Sequence, residues 1–360
     1  MVPIRMLSWL VLLCASLTAL DEKKPSPPRE TKHCGVSWVA GRQVTEAEMA
    51  PLSQAHVNWI VQTPFGWQRR YNSPQVALIT SGRVLWGERD EGLEVTTRLA
   101  REAGIRTLLK PHIWLTDSSG GKWRTHIEME SEEDWQKWFI SYREFILHYA
   151  RFAEKNGIEA LCIGTELHQT AVQRDSDWRK LIQEIRKVYH GQLTYAANWW
   201  REFEEVKFWD ELDYIGIQAY FPLSQKKNPT LAELKQAWIP HRQAIEKVQQ
   251  KYKKPVVFTE VGYKSTPGSA IEPWKWPNLP GAEREVDLEV QVRCYQAFFH
   301  TFWNQDWFAG AYIWKWFPKH QKAGGTEHFG FTPQNKPALK VLSDWYRRDN
   351  PAPAPPSKKF

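Results

Sequence analysis

Eight short apolar segments alternate with amphipathic helical segments along the 360-residue chain, and this alternation restricts the fold more than any other feature. It is typical of an α/β fold with a parallel sheet. Eight repeats favour a closed (β/α)8 TIM barrel in a single domain, residues 34–350. An open doubly wound sheet would require a glycine-rich turn after the first strand, and residues 38–43 are not such a turn. The predicted strands span residues 35–40, 57–62, 105–112, 158–167, 193–198, 214–220, 255–260 and 308–316.

The connections differ in length at the two ends of the predicted barrel. The loops from strand to helix are long after the second, third, seventh and eighth strands. Since barrel enzymes build their sites from these loops, we expect a functional site at the carboxyl ends of the strands. The joints from helix to strand are short and sit at Gly104, Asn156-Gly157, His190-Gly191 and Lys254-Pro255.

Two glutamates close apolar strands at the end where the site is expected. Glu166 ends the fourth predicted strand and Glu260 ends the seventh. An acid in such a position is costly to bury unless it is paired or functional. Two carboxyl groups facing each other across a barrel are what glycoside hydrolysis requires, and a separation of roughly 5–5.5 Å predicts a covalent intermediate and retention.

Side chains alternate along a strand, so the two glutamates also predict part of the barrel interior. Small residues on one strand and bulky residues on another would fill that interior together. The predicted inward set is Ala160, Cys162 and Gly164 with Glu166, and Val256 and Phe258 with Glu260.

Polar and aromatic side chains end the other strands, and we expect them around the same mouth. Sugars need hydrogen bonds for their hydroxyl groups and a flat apolar partner for the ring face, and the chain contains 21 Trp. Tyr220 ends the strand beside that of Glu260, so its hydroxyl is expected to donate to that carboxylate. The predicted substrate-binding residues are Trp38, Asn58, Lys110, His112, Asn198, Trp199, Tyr220, Trp314 and Trp316.

The local sequences around these residues resemble those of the retaining barrel glycosidases of clan A, and of glycoside hydrolase family 113 in particular. The resemblance spans residues 34–347 and implies an endo-acting β-1,4-mannanase, with Glu166 as acid/base and Glu260 as nucleophile. Thr165 departs from the Asn that precedes the acid/base in most of the clan, which leaves the contact to the sugar 2-hydroxyl unassigned. The matching segments are KPHIW (110–114), IGTEL (163–167), IQAY (217–220), FTEVGY (258–263) and YIWKW (312–316).

Other functions stay open at this point. A clan A relative could act on another β-linked glycan, such as a β-glucan, with the same barrel and the same glutamates. A secreted barrel could also bind glycans without cleaving them. A metal-dependent hydrolase is disfavoured because the first strand has no His-x-His, and an aldolase using Lys110 would leave the paired glutamates unexplained. We therefore expect neither a metal nor a cofactor.

The two ends of the chain differ from the barrel in composition. Residues 1–20 combine Arg5, an apolar run too short for a membrane span, and small residues, which predicts a signal peptide and a secreted or periplasmic protein. A lipid anchor at Cys14 is the less favoured alternative. Residues 21–33 predict a disordered linker, and residues 351–360 a proline-rich tail. Much of the formal charge of +7 lies in these segments, and no Lys/Arg-rich stripe appears, so the charge does not indicate a nucleic-acid partner. We expect a monomer that binds a polysaccharide or oligosaccharide.

Three cysteines lie beyond the predicted signal peptide: Cys34, Cys162 and Cys294. No pair has the spacing of a metal site, and an odd number does not indicate a disulfide framework. Cys162 lies inside a strand and is expected to be a small buried apolar residue. A disulfide between Cys34 and Cys294 stays open.

If residues 1–20 are a signal peptide, the exported protein begins near Asp21 or beyond, because cleavage follows the small residues after the apolar run. Intact-mass measurement of the exported protein should give this shortened chain. Exported protein that retains Met1 would contradict the prediction.

Overall fold

Eight parallel strands close into a barrel in the computed structural model, which describes residues 31–351 except residues 83, 277–280 and 282. The barrel order is β1, β11, β10, β9, β8, β7, β5 and β2, and β2 pairs with β1 to complete the circle. The predicted (β/α)8 fold is confirmed. The predicted signal peptide and nearly all of the predicted tail lie outside the described residues. The strands are β1 (His33–Trp38), β2 (Trp59–Gln62), β3 (Phe65–Gln68), β4 (Ala77–Leu78), β5 (Arg106–Leu109), β6 (His112–Leu115), β7 (Ala160–Thr165), β8 (Gln192–Asn198), β9 (Tyr214–Gln218), β10 (Val256–Val261) and β11 (Phe308–Trp316).

Helices cover the outside of the barrel and begin where the sequence provides caps. Ser131 caps α3 by accepting from the Asp134 amide at 3.1 Å, and Thr230 caps α7 in the same way. The short α4 was not predicted, because six residues are too few to show a helical period. Among the described helices, none is both long and apolar enough to cross a membrane. The helices are α1 (Ala50–Gln54), α2 (Asp90–Glu102), α3 (Glu132–Lys155), α4 (His168–Gln173), α5 (Asp175–Arg186), α6 (Glu202–Glu205), α7 (Leu231–Tyr252), α8 (Leu288–Phe302) and α9 (Pro337–Tyr346).

Side chains fill the barrel interior down to its amino-terminal end, where His33 lies. The His33 ring stacks on Trp59 with 4.1 Å between centroids, and its Nδ1 is 2.8 Å from the Tyr312 hydroxyl. The predicted linker therefore extends too far, because Lys32 and His33 are buried and β1 begins at His33. The interior side chains are Trp59, Val61, Leu108, Ala160, Cys162, Ala196, Tyr214, Val257 and Tyr312.

The pairing of β10 shifts just before Glu260. Its register with β9 changes between Phe258 and Glu260, so the regular alternation of side chains is broken there. Val257 points into the barrel, whereas Phe258 packs outside, 4.9 Å from the ring of Phe302 in α8. The predicted inward orientation of Val256 and Phe258 is therefore wrong.

A similar irregularity precedes Glu166. The register of β7 with β8 shifts between Cys162 and Thr165. Ala160 and Cys162 point inward as predicted. Gly164 does not, because a Cβ at this position would meet the rings of Trp178 and Tyr195, which belong to the core outside the barrel.

A second sheet of order β4, β3, β6 was not predicted. Its strands β3 and β6 follow directly from the barrel strands β2 and β5 along the chain. The predicted strand 105–112 is split between the two sheets, because Pro111 lies between β5 and β6 and has no N–H for a ladder.

The three cysteines beyond residue 30 are free thiols, so Cys34 and Cys294 form no disulfide. All three are buried, and burial raises the pKa of each thiol. Cys162 lies in the barrel interior as a small apolar residue, as expected.

A buried acid joins the segments that follow β7 and β8. Glu202 accepts a hydrogen bond from the Tyr195 hydroxyl, and one from the Asn198 amide at 2.7 Å. The same hydroxyl accepts from the amide of Leu167 at 2.8 Å. Burial raises the pKa of Glu202 to about 8, although both hydrogen bonds oppose the shift. The network holds the backbone next to Glu166.

Glu202→Gln is expected to remove a pH-dependent loss of stability. The pKa of Glu202 in the folded protein is above its ordinary value of 4.5, so folding takes up a proton between that value and about 8. Stability therefore falls as the pH rises through this window. The melting temperature of the variant minus that of the parent should therefore be larger at about pH 8 than at about pH 5.

The matched control is Glu204→Gln, on the exposed side of α6, which should follow the parent. If the difference between Glu202→Gln and the parent is the same at both pH values, Glu202 does not titrate in this window.

Candidate active site

Glu260 is held by a cation and a phenol, one on each carboxylate oxygen. The Lys110 Nζ lies 2.6 Å from Oε1, and the Tyr220 hydroxyl donates to Oε2 at 2.7 Å. The hydrogen bond expected from Tyr220 is therefore present. Burial and the adjacent charge of Glu260 raise the pKa of Tyr220, which keeps its proton for this bond. Both donors orient the carboxylate and stabilise negative charge on it.

Lys110 reaches Glu260 from the opposite side of the barrel. It follows β5, which is four strands from β10 around the circle, and its side chain is fully buried. Its Nζ also donates to the Thr259 carbonyl at 3.2 Å and to Oε1 of Gln218 at 3.3 Å. The ammonium group thus contacts Gln218, Thr259 and Glu260, which lie next to one another at the mouth.

Glu166 sits on a strained backbone at the end of β7. Its φ of +54° lies in the left-handed region, which costs a residue other than glycine about 1–3 kcal/mol. Its amide donates to the Ala196 carbonyl at 2.9 Å, which fixes this turn against β8. Burial raises the pKa of the Glu166 carboxyl; the Arg124 guanidinium opposes the rise and the charge on Glu260 adds to it.

Arg124 contacts Glu166 and was not predicted. Its Nε lies 3.0 Å from Oε2 of Glu166, and its Nη1 donates to the Ile113 carbonyl at 3.3 Å. Its guanidinium also lies over the Trp123 ring, 5.2 Å from the centroid. In the sequence this segment is an ordinary polar loop, and no local pattern indicates that it folds back over the barrel mouth.

A cavity of about 1000 Å³ opens beside Glu166. Trp199 and Trp274 form one aromatic wall, with stacked rings whose centroids are 5.0 Å apart. Trp200 is 56% exposed at the rim. Trp274 and Trp276 come from the loop after β10, whose tryptophan content was the sequence signal that could have placed them here. Further lining residues are Trp123, His126, His168, Asn198, Tyr220 and Trp276.

The structure brings most of the predicted binding residues to this mouth. Asn198, Trp199 and Tyr220 line the cavity with Glu166, and Lys110 contacts Glu260. Trp314 is half-buried, with its ring edge-on to Trp276 at 6.1 Å.

His112 is buried at the start of β6, where its ring meets Phe65 edge-on at 5.6 Å. Burial lowers its pKa well below the ordinary value, and the nearby cations Arg124 and Lys110 lower it further. It is therefore a neutral imidazole, and its Nε2 makes no hydrogen bond within the described residues.

Three predicted binding residues lie elsewhere. Asn58 precedes β2 at the amino-terminal end of the barrel, where it accepts from the Cys34 amide at 2.8 Å and donates to the Lys32 carbonyl at 3.1 Å. Trp38 and Trp316 pair across β1 and β11 and are buried in the core outside the barrel interior. The structure thus places both rings in the core and not at the mouth where they were predicted.

The two carboxyl groups thus have different surroundings. Burial raises the pKa of Glu166, which favours the protonated form that a general acid needs. Glu260 is fixed as an acceptor between a lysine and a tyrosine. The arrangement offers a proton donor and a carboxylate nucleophile, the two groups that retaining glycoside hydrolysis uses.

Comparisons with known proteins point to the same chemistry. None of the curated proteins matches the sequence. The GH113 β-mannanase AaManA from Alicyclobacillus acidocaldarius, solved in complex with ManMIm, is 29% identical with a TM-score of 0.75, covering 88% of this chain and 98% of that one. Two further structures of GH113 β-1,4-mannanases are 27% and 28% identical with TM-scores of 0.74 and 0.72, covering 88% and 87% of this chain and 99% and 98% of theirs. The model of Glycoside Hydrolase Family 113 matches residues 37–336, and the chain belongs to that family.

Proposed function

We propose that the protein is a retaining endo-β-1,4-mannanase, which hydrolyses β-1,4-mannosidic bonds in mannan polysaccharides. The observation that carries the proposal is the pair of buried carboxyl groups, Glu166 and Glu260, with their different partners. Membership of the family and likeness to β-1,4-mannanases at 27–29% identity support the substrate.

In the first step, a carboxylate oxygen of Glu260 attacks the anomeric carbon, and the bond from this carbon to the glycosidic oxygen breaks. Glu166 gives its proton to that oxygen, so the leaving chain departs as an alcohol. A glycosyl ester of Glu260 remains. Lys110 and Tyr220 hold the attacking carboxylate in place, and the raised pKa of Glu166 keeps the proton available.

In the second step, Glu166 is a carboxylate and takes a proton from a water molecule that attacks the same carbon. The ester bond breaks, Glu260 returns to its carboxylate form, and the sugar is released with its original anomeric configuration. Arg124 stabilises the anionic form of Glu166 that this step requires.

The leaving part of the substrate lies on the side of Glu166, because this residue protonates the leaving oxygen. The cavity of about 1000 Å³ is on that side, and the stacked pair of Trp199 and Trp274 forms its wall. Flat ring faces suit the apolar faces of sugar units. Room for sugars beyond the cleaved bond supports cleavage within a chain.

We also propose that the protein is exported. The predicted signal peptide, residues 1–20, supports this location, with a lipid anchor at Cys14 as the alternative. A polysaccharide substrate supports it too, because such polymers do not enter a cell before they are shortened.

Purified protein should release reducing ends from soluble mannan and shorten mannohexaose, while it leaves cellohexaose intact. Glu260→Ala should abolish this activity, whereas Glu289→Ala, on the exposed face of α8, should not change it. Release from β-glucan or xylan but not from mannan would favour the other clan A specificity. No release from any of the three would favour a barrel that only binds glycans.

The roles of the two glutamates are tested by azide. Azide should restore part of the activity of Glu260→Ala and give a glycosyl azide of inverted configuration, because the anion attacks from the face that the carboxylate occupied. NMR of the product gives the configuration. An inverted azide product from Glu166→Ala instead would reverse the two roles.

Arg124→Gln should move the alkaline limb of kcat/KM to higher pH. That limb reports loss of the proton from Glu166 in the free enzyme. Arg124 lowers the pKa of Glu166, so its removal leaves burial and the charge on Glu260 to raise it further. Arg70→Gln, which removes a surface ion pair with Asp117, is the control and should leave the limb in place. A limb that stays or moves to lower pH in Arg124→Gln would contradict this account.

A further inference from the structure

A second cavity, of about 540 Å³, lies at the carboxyl ends of β1 and β11. Its lining comes mainly from the segments that follow these two strands, within residues 39–48 and 317–328. The volume is within the range of ligand cavities, about 300–1,000 Å³. Apolar side chains, among them Val39, Val44 and Phe317, form part of the lining, and cationic side chains form much of the rest. We call it the basic cavity.

The lining carries more positive than negative charge. Arg42, Lys319 and Lys322 are exposed at the cavity, and none of the three forms an ion pair with another described residue. Glu48 is the one acid among the described lining residues, and its carboxylate accepts from the amide and the hydroxyl of Thr45 at 2.7 and 2.8 Å. Three cations and one acid leave an excess of two positive charges, even without the lining histidine.

Lys315 connects the basic cavity with the catalytic carboxylate. Its Nζ lies 5.2 Å from the ring centroid of Phe317, which lines the cavity. Burial lowers the pKa of Lys315, and the charge on Glu260 opposes this shift. Burial also lowers the pKa of His328 in the lining, and the charges on Lys336 and Lys315 lower it further. Lys315 is therefore close to both places, and positive charge extends from Glu260 to the basic cavity.

The basic cavity lies across the barrel from the cavity beside Glu166. Around the circle of eight strands, β7 and β8 are four strands from β11 and β1. No described residue lines both cavities. Since the leaving part of the substrate lies on the side of Glu166, the part that stays bound to Glu260 extends toward the basic cavity. The two parts of the substrate thus meet different surfaces, one aromatic and one cationic.

Unpaired cations in a binding cavity favour an anionic partner. Lysine and arginine form strong charge-assisted hydrogen bonds with carboxylates, and complementary charges select one partner against another. A uronic acid unit carries a carboxylate in place of the hydroxymethyl group of an ordinary hexose, so it needs little additional room. Its ring still offers an apolar face to the apolar part of the lining.

We propose that the basic cavity binds acidic sugar units in the part of the polysaccharide that remains attached to Glu260, so that the preferred substrate is a mannan that carries carboxylates. Arg42, Lys319 and Lys322 pair with the carboxylate. This proposal rests on the function proposed above and narrows its substrate from mannans in general to acidic ones.

The test compares two polymers that differ in charge. Soluble mannan oxidised at part of its C6 hydroxymethyl groups carries carboxylates, and reduction of these carboxylates returns a neutral polymer of the same length. At low salt, the parent should have a kcat/KM about fivefold higher on the oxidised polymer than on the reduced one, because exposed ion pairs contribute modestly. Salt should lower this preference by screening the charges. Lys319→Gln/Lys322→Gln should abolish it.

The matched control is Lys187→Gln/Lys247→Gln, which removes the same net charge from exposed positions at the end of α5 and in α7. It should keep the preference of the parent. Arg42→Gln gives an independent reading and should lower the preference. Equal rates of the parent on the two polymers would overturn the proposal. A preference that Lys319→Gln/Lys322→Gln leaves at the value of the control would overturn it too.

The same experiment separates this proposal from the enzymatic one. Cleavage of both polymers without a preference leaves the mannanase in place and removes the role of the basic cavity. If neither polymer is cleaved, the proposed activity fails, and electrophoresis of the parent in gels that contain each polymer tests the cavity alone. Retardation by the oxidised polymer that Lys319→Gln/Lys322→Gln abolishes would support the acidic-sugar site, and equal mobility in both gels would overturn it.

Discussion

The contact between Lys110 and Glu260 is the interaction on which the mouth of this barrel depends. Both side chains are buried, and removing one partner of such a pair leaves an uncompensated charge at a cost of about 3–5 kcal/mol. The lysine directly follows β5 and the glutamate lies in β10, on opposite sides of the barrel. The barrel must therefore close with the correct size and stagger before this pair can form. Tyr220 and Gln218, both near the end of β9, complete the set of contacts and leave the carboxylate one orientation.

The barrel could be predicted from the sequence because its elements are local. Thr230 and Ser131 cap their helices through contacts within the first turn, and alternation of strands and helices requires no knowledge of distant contacts. The orientation of Val256 and Phe258 could not be predicted in the same way. Alternation holds only in a regular strand, and the register shift before Glu260 depends on the pairing between β10 and β9. The register shifts in β10 and β7 lie directly before Glu260 and Glu166, whose side chains point into the barrel mouth. Bulges are common next to active sites.

The candidate site was predictable only in part, for a related reason. Glu166, Glu260 and Tyr220 lie at strand ends, so their places follow from the fold. Arg124 and Trp274 lie in long loops, whose path over the mouth depends on contacts between distant segments. The large number of tryptophans indicated aromatic surfaces but could not show which tryptophans lie in the core and which are exposed. Trp38 and Trp316 belong to the core while Trp200 is exposed, and composition gives no basis for that distinction.

The packed interior of the barrel has a consequence for the order of events in catalysis. Among the described residues, His33, Trp59 and Tyr312 fill the amino-terminal end of the barrel and close its centre to solvent from that end. The water that hydrolyses the glycosyl ester must then enter by the same mouth that the substrate uses. While the leaving chain still occupies the space beside Glu166, the water cannot reach the position from which Glu166 takes its proton. In the proposed mechanism, departure of the first product therefore precedes release of the second, because the leaving chain and the water use the same space beside Glu166.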